Sequence, residues 1–333
     1  MNKLPASSAT PSQLFRHLRC WGALGLLALF ATPLGAQTAP ASANSTTPNS
    51  TGTDDVHWWN PANVETPPWF GLEYEHEFSA SLKNGATGSM DSNTFQIAHE
   101  KGFDLNNDNH LTMAMAYTFI NYNFSGVGTA PFGNVQKLGV NGHYTYDYNP
   151  DVQLFVDLSA QLAAATAGSF SNGGQISATV GPVWWAAPDL TIAVGPMFYT
   201  RMEDSDTWIP YVDVKWTPGD NWLINAYAGN SNGVKVSYDV FGNHATVVEC
   251  SLDYNSHWFR AQNTPAGASA AVDETDTTLK LAVRQALSES VFVRGYIAGI
   301  FGSEYQFHVN GNSANSFDVG TTFGLGLGAG MSF

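Results

Sequence analysis

The densest group of ionisable side chains is Glu73, Glu75 and Glu77, in the run FGLEYEHEF. Alternate residues of an extended strand share a face. The three carboxylates therefore line up on one side, with Phe70, Leu72, Tyr74, His76 and Phe78 on the other. Like charges at that spacing repel unless water, cations or basic partners offset them. Lys280, Arg284 and Arg294 are placed to do so, either by meeting the acids across an interior or as a local patch of their own. The same alternation turns Glu100, Asp147, Asp157, Asp213, Asp239, Glu249, Asp253 and Asp318 inward, together with Lys215 and Lys235. Gln96, Asn141, Gln153, Gln161, Gln175 and Asn225 add neutral polar surface. Acids outnumber bases on this face. In an open, water-filled interior they focus a negative potential that favours cations; in a packed one they form internal salt bridges and hydrogen bonds.

Other constellations fall short of a reactive site. Asp104, Asn106, Asp108 and His110, in DLNNDNH, have the alternating oxygen donors of a calcium loop. They lack its central glycine and its closing glutamate, and so read as an Asx-rich turn. His76, His99, His110, His143, His244, His257 and His308 are scattered without metal-ligand spacing. Ser256 with His257, and His143 near Thr145, have the residue types of a hydrolase pair. Adjacent strand residues point to opposite faces, so Ser256 and His257 cannot readily act together. There is no phosphate-binding glycine loop. The reading is of no catalytic residue, no metal and no cofactor.

The elements that must position the charged residues are strands. The chain has 333 residues, 12% charged and 13% aromatic, with a formal charge of −15. That balance offers no basic face for nucleic acid. Residues 1–36 read as a signal peptide: Lys3, Arg16 and Arg19 precede the 11-residue apolar run WGALGLLALFA, too short to cross a bilayer. Cleavage after Ala36 or Ala39 fits. Residues 37–68 read as a disordered periplasmic tail containing Trp58 and Trp59. Losing Cys20 with the signal leaves Cys250 alone, packed as a small hydrophobe.

Residues 69–333 alternate repeatedly between apolar and polar. Fourteen strands are expected, at about 70–81, 92–102, 110–122, 135–148, 151–165, 174–186, 189–200, 207–217, 221–229, 233–240, 245–259, 277–288, 291–302 and 316–333. Twelve is the alternative, since 221–240 is the weakest hairpin. Several are long enough to cross hydrocarbon obliquely. Tight turns such as Ala187-Pro188-Asp189 and Pro218-Gly219-Asp220 alternate with longer connections at 82–91, 123–134, 166–173, 201–206, 230–232, 260–276 and 303–315. Short turns on one side and long loops on the other suit an all-β, antiparallel, up-and-down transmembrane barrel, closed so that no edge meets lipid. Trp69, Tyr146, Tyr148, Trp184, Trp208, Trp216, Trp222 and Trp258 are expected at the membrane interfaces. Loops 123–134, 260–276 and 303–315 are expected to be mobile contact surfaces.

In the last strand Phe317, Val319, Phe323, Leu325, Leu327, Met331 and the final Phe333 share the outward face, and Gly320, Gly324, Gly326, Gly328 and Gly330 the inward one. Inward glycines leave room for the backbone to curve, or for bulky residues from other strands. This Phe-terminated pattern resembles the assembly signal of bacterial outer-membrane β-barrel proteins. The resemblance implies export, periplasmic chaperones, the barrel-assembly machinery as partner and residence in the outer membrane. The stretch PYVDVKWTPGDNW, from Pro210 to Trp222, is similar to uncharacterised outer-membrane barrel families and carries over no catalytic residue. Two functions stay open: a passive channel or transporter for ions or small solutes, biased to cations, or a closed structural barrel acting through its external loops.

Overall fold

The computed structural model describes residues 69–84, 86–106, 108–166, 170–229 and 231–332. The signal segment 1–36, the tail 37–68 and Phe333 lie outside the described residues. The rest is one antiparallel sheet closed on itself. Its segments are β1 (Trp69–Lys83), β2 (Ser89–Asn106), β3 (Asn109–Ser125), β4 (Val135–Asn149), β5 (Val152–Ala165), β6 (Gly174–Ala187), β7 (Leu190–Tyr199), β8 (Thr207–Trp216), β9 (Trp222–Ala228), β10 (Asn232–Asp239), β11 (Thr246–Thr264), β12 (Gly267–Ala286), β13 (Val291–Val309), β14 (Asn312–Val319) and β15 (Thr322–Ser332). Segments β14 and β15 are two parts of one crossing, so the barrel has fourteen strands. Pairing of β1 with β15, from Trp69 opposite Ser332 to Glu77 opposite Gly324, closes it. We term the end carrying Trp69 and Ser332 the base and the other end the crown.

Outward positions form the apolar belt that hydrocarbon requires. Leu72, Phe95, Met115, Val140, Leu158, Ile176, Val180, Leu252, Leu281, Ile297, Leu325 and Leu327 are all exposed. Closure leaves the backbone paired around the ring, which is the condition for spanning lipid. The chain is a transmembrane barrel of the outer-membrane type. Tyr146, Tyr148, Trp184, Trp208 and Trp222 are exposed, as interfacial anchors are. Trp258 is not among them: it is buried in the crown, its ring 4.8 Å from that of His308. Cys250, on β11, is exposed.

Height is uneven around the barrel. Segments β9 and β10 have 7 and 8 residues, while β11 and β12 have 19 and 20. Above Tyr254, β11 has lost its neighbour β10 and presents a bare edge. That edge turns across the barrel, and Arg260 makes a parallel bridge with Ala164 of β5. The crown is thereby drawn into a smaller ring of β1–β5 and β11–β14, and β6–β10 stop short of it.

Bulges change the facing at one height. They lie in β1 between Glu77 and Ala80, in β13 about Gly302, and at Gly320–Thr321 between β14 and β15. A bulge adds an unpaired residue and bends its strand. Each one exchanges inside for outside, so Ala80, Leu82, Tyr305, Phe307, Phe317 and Val319 point inward above it.

This corrects two sequence expectations. Residues 260–276 and 303–315 are not loops: β11 and β12 continue to a turn at Pro265-Ala266, and β13 and β14 to Asn310-Gly311. The inward faces of these segments and of 123–134 are buried in the crown, while 128–130 and 310–315 stay exposed at the rim. Their alternating Phe, Tyr, Val and Ala residues find an apolar partner in one another and bury. The second correction is Asp318. It lies between inward-facing Phe317 and Val319, so it faces out at the crown, where the Asn84 amide donates to it.

Candidate functional site

The interior has two storeys. The lower one, towards the base, carries the charged ladder on the wall from β10 round to β1. Lys235 Nζ lies 3.2 Å from Glu249 Oε1, and Glu249 Oε2 lies 3.2 Å from Arg294 Nη2. Arg294 Nη1 continues to Glu73 at 3.9 Å, and Lys280 Nζ reaches Glu75 at 3.7 Å. The Tyr296 hydroxyl lies 2.7 Å from an oxygen of each of Glu73 and Glu75, with Lys280 Nζ 4.0 Å from the centre of its ring.

Glycine makes this wall possible. Tyr296 of β13 is opposite Gly326 of β15, which is opposite Glu75 of β1. Without a side chain at 326, the Tyr296 ring lies across β15 and touches the next strand. A β-carbon there would sit 2.0 Å from Tyr296 Cζ. The bases thus meet the Glu73 and Glu75 acids along the wall, over the glycine strand, rather than across the lumen. Side chains of Glu73, Glu75, Lys280 and Arg294 keep 16–27% of their surface exposed, although they point inward. Lys235 and Glu249, further along the ladder, are buried, so water has room beside only part of it.

The other sequence candidates fall in separate groups. Glu77 faces in opposite Ser92, directly below the crown, and Glu100 faces in near the base. Arg284 is buried with its guanidinium carbon 5.8 Å from the centre of the Phe292 ring, and does not join the acids of β1. Asp213 accepts from Asn225 at 2.7 Å, beside inward Lys215. Asp157 stands 3.0 Å from His143 Nδ1, and Asp253 accepts from Tyr227 and Ser251. Asp147 accepts from Gln153 at 2.7 Å. Asp239 does structural work: its carboxylate caps the 240–245 turn, accepting from the backbone N–H of Phe241, Gly242 and His244.

The former calcium-like run is a turn. Asn106 accepts from the Asp108 N–H at 3.0 Å, and His110 Nδ1 lies 2.7 Å from Asp104. Ser256 donates to Asp273 at 2.9 Å, across the β11–β12 hairpin. Among the described residues no group of three His, Cys, Asp or Glu is placed to hold a metal.

The upper storey is dry. Phe132, from the 126–134 connection, stands at the centre of an aromatic cluster. Its ring centre is 5.1 Å from Tyr122, 5.3 Å from Phe124, 5.1 Å from Phe259 and 5.5 Å from Tyr305. Phe317 stacks on Tyr305 at 5.0 Å. Phe259, Ala261, Ala270, Ala271 and Val272 of the folded hairpin are fully buried. Beneath them Glu274 accepts from the hydroxyls of Tyr122 and Tyr305. These groups close the lumen at the crown. Sequence reasoning missed them because residues 123–134 and 260–276 are rich in small residues. The regular spacing of Trp258 to Ala261 and Ala270 to Val272 about a Thr-Pro-Ala-Gly turn was the available signal.

Carboxylate at the crown is also used as a fastener. Glu203, in the 200–206 connection, accepts from Arg260 Nη1 at 2.7 Å and from the Asn310 N–H at 3.0 Å. Beside it, Asp204 accepts from Arg201 at 2.8 Å and from the Ser205 N–H at 2.7 Å. Burial alone raises the Asp204 pKa, but these contacts outweigh it and hold the carboxyl below its usual value of 3.8.

No family model matches the sequence, and no curated protein matches it. Among solved structures the chain is similar to an outer membrane channel from Pseudomonas putida F1. The two are 11% identical with a TM-score of 0.48, over 83% of this chain and 100% of that one. It is also similar to a Pseudomonas aeruginosa FadL homologue, at 8% identity and a TM-score of 0.47, over 80% of this chain and 90% of that one. A KdgM porin aligns at 10% identity with a TM-score of 0.30, over 79% of this chain and 99% of that one.

Proposed function

We propose that the protein is a gated passive channel of the outer membrane for ions or small polar solutes, described here in its closed state. One observation carries the reading: a charged lower lumen, exposed along part of its ladder, that ends at a dry aromatic closure. Ionised side chains beside water-sized space can attract mobile ions and pass them along the wall. The base faces the periplasm and the crown faces outward. Insertion by the barrel-assembly machinery, after passage with periplasmic chaperones, belongs to the same reading and uses Phe333.

Cation bias follows from the charge inventory of the lumen. Glu73, Glu75, Glu77, Glu100, Asp147, Asp157, Asp213, Glu249 and Asp253 outnumber Lys215, Lys235, Lys280, Arg284 and Arg294. The test is single-channel recording of the refolded barrel in a planar bilayer under a KCl gradient. Rare discrete openings with a cation-biased reversal potential are expected, and replacing Glu73, Glu75 and Glu77 by Gln should move the reversal towards zero. Openings with anion bias would remove the selectivity claim. The buried crown favours a second reading, a permanently closed barrel; a folded protein silent under all conditions would support it.

A further inference from the structure

The lid is the upper part of the β11–β12 hairpin. It is laddered to β13 along its β12 side and bonded to Tyr122 through Glu274; on its free β11 side, polar contacts gather at Arg260 and its carboxylate partner. The free edge makes one backbone bridge to the opposite wall, at Ala164. Beyond that, Arg260 carries the polar attachment: Nε donates to the Asn172 carbonyl at 3.1 Å and Nη1 to Glu203 Oε1 at 2.7 Å. The second oxygen of Glu203 takes the Asn310 N–H, at the tip of the neighbouring β13–β14 hairpin. Both crown hairpins therefore bond to one carboxylate, which belongs to neither.

The surroundings fit a fastener. Glu203 has φ 57°, a backbone region that residues with a β-carbon adopt reluctantly. The adjacent Met202 is buried in the same apolar cluster as Phe132 and Phe259, which seats the 200–206 connection against the lid. That connection joins β7 and β8, on the side of the barrel where the strands are short. Glu203 thus ties the low wall to the folded-over lid and to the next hairpin.

We propose that Glu203 is the clasp of an external gate. Its release lets the β11–β12 hairpin lift from β5 and exposes the aromatic closure to the outside. The gate rests on the channel reading for its purpose, but the clasp is measurable without conduction.

The experiment uses the full barrel with Cys250→Ser and a reporter, Ala270→Cys, at a fully buried lid position. Labelling by a water-soluble maleimide reads lid opening. Ala261→Cys is the second reporter should the first disturb folding. With Glu203 present, labelling is slow. Glu203→Ala removes two hydrogen bonds of a charged group and is expected to speed labelling about 10- to 100-fold. Glu203→Gln, which keeps one oxygen to accept a hydrogen bond, is expected to label at a rate between the two. Bilayer recordings on the same variants should show open time rising with labelling. Unchanged labelling in Glu203→Ala at both reporters overturns the clasp, even where channels are recorded. Faster labelling without conductance in any variant keeps the clasp and overturns the channel reading.

Discussion

Replacing Gly326 by alanine tests how the charged wall is built. The new methyl would begin 2.0 Å from Tyr296 Cζ and 2.4 Å from both Cε atoms. Carbon atoms rest at about 3.5–4.0 Å, so the ring must retreat by about 1.5 Å. The Tyr296 hydroxyl then leaves Glu73 and Glu75, each now 2.7 Å away. Overpacking of this kind costs about 1–3 kcal/mol. The hydroxyl has one proton, so one hydrogen bond to a charged group is lost, worth about 1.5–3 kcal/mol and discounted here because the carboxylates are partly in water and can resolvate. The expected loss is about 2–4 kcal/mol, read by urea unfolding of the barrel in lipid vesicles with tryptophan fluorescence. The decisive comparison is the same change in a Tyr296→Ala background. There the methyl meets no ring, and the cost should fall below about 1 kcal/mol, since alanine suits a strand interior at least as well as glycine. Equal losses in the two backgrounds would refute the argument that Gly326 exists to let Tyr296 cross β15.

Three further outcomes follow from the geometry. Phe132→Ala empties the centre of the aromatic closure and should destabilise the barrel by about 3–5 kcal/mol, with higher open probability in bilayer recordings. Gly181→Ala and Gly195→Ala place a β-carbon 1.8 and 2.0 Å from the carbonyl oxygens of Val194 and Val180, and backbone cannot yield as a side chain does. Refolding yield on a gel-shift assay should collapse for both, while Gly139→Ala, which meets nothing within 4 Å, should refold normally. Asp204 has a lowered folded pKa, so its contribution is complete above its ordinary value of 3.8 and is lost as pH falls through the lower folded value. Hydrogen exchange at the Ser205 amide should stay slow at pH 4 and quicken only below it.

Much of the fold was legible because strand period and lipid solvation impose the same rule. Leu279, Leu281 and Val283 had to face out, and Lys280 and Arg284 in. The inward glycines of β15 offered either curvature or room for a bulky neighbour, and at Gly326 the second is seen, with Tyr296 as the neighbour. Alternation failed where it has no authority, at bulges. A single extra residue near Gly320 sends Asp318 outward and Phe317 inward, and nothing in a period-two reading locates that residue. The crown failed for a related reason. Beyond the lipid, apolar residues no longer report the outer face, so Val272 looked like part of a loop and the strand ending at Phe259 looked complete. Only the loss of β10 beside the upper part of β11 shows why that hairpin must fold over. Glu203 was invisible for want of any local pattern: its partners lie 57 and 107 residues away.

The channel reading is tested most directly by removing the lid. Residues 257–274 would be replaced by Asn-Gly between Ser256 and Thr275, which face each other across the hairpin, and the refolded barrel recorded in a planar bilayer under a KCl gradient. The expected result is a steady, cation-biased conductance where the intact protein opens rarely. A folded, lidless barrel that passes no current would contradict the account and leave a closed structural barrel in its place.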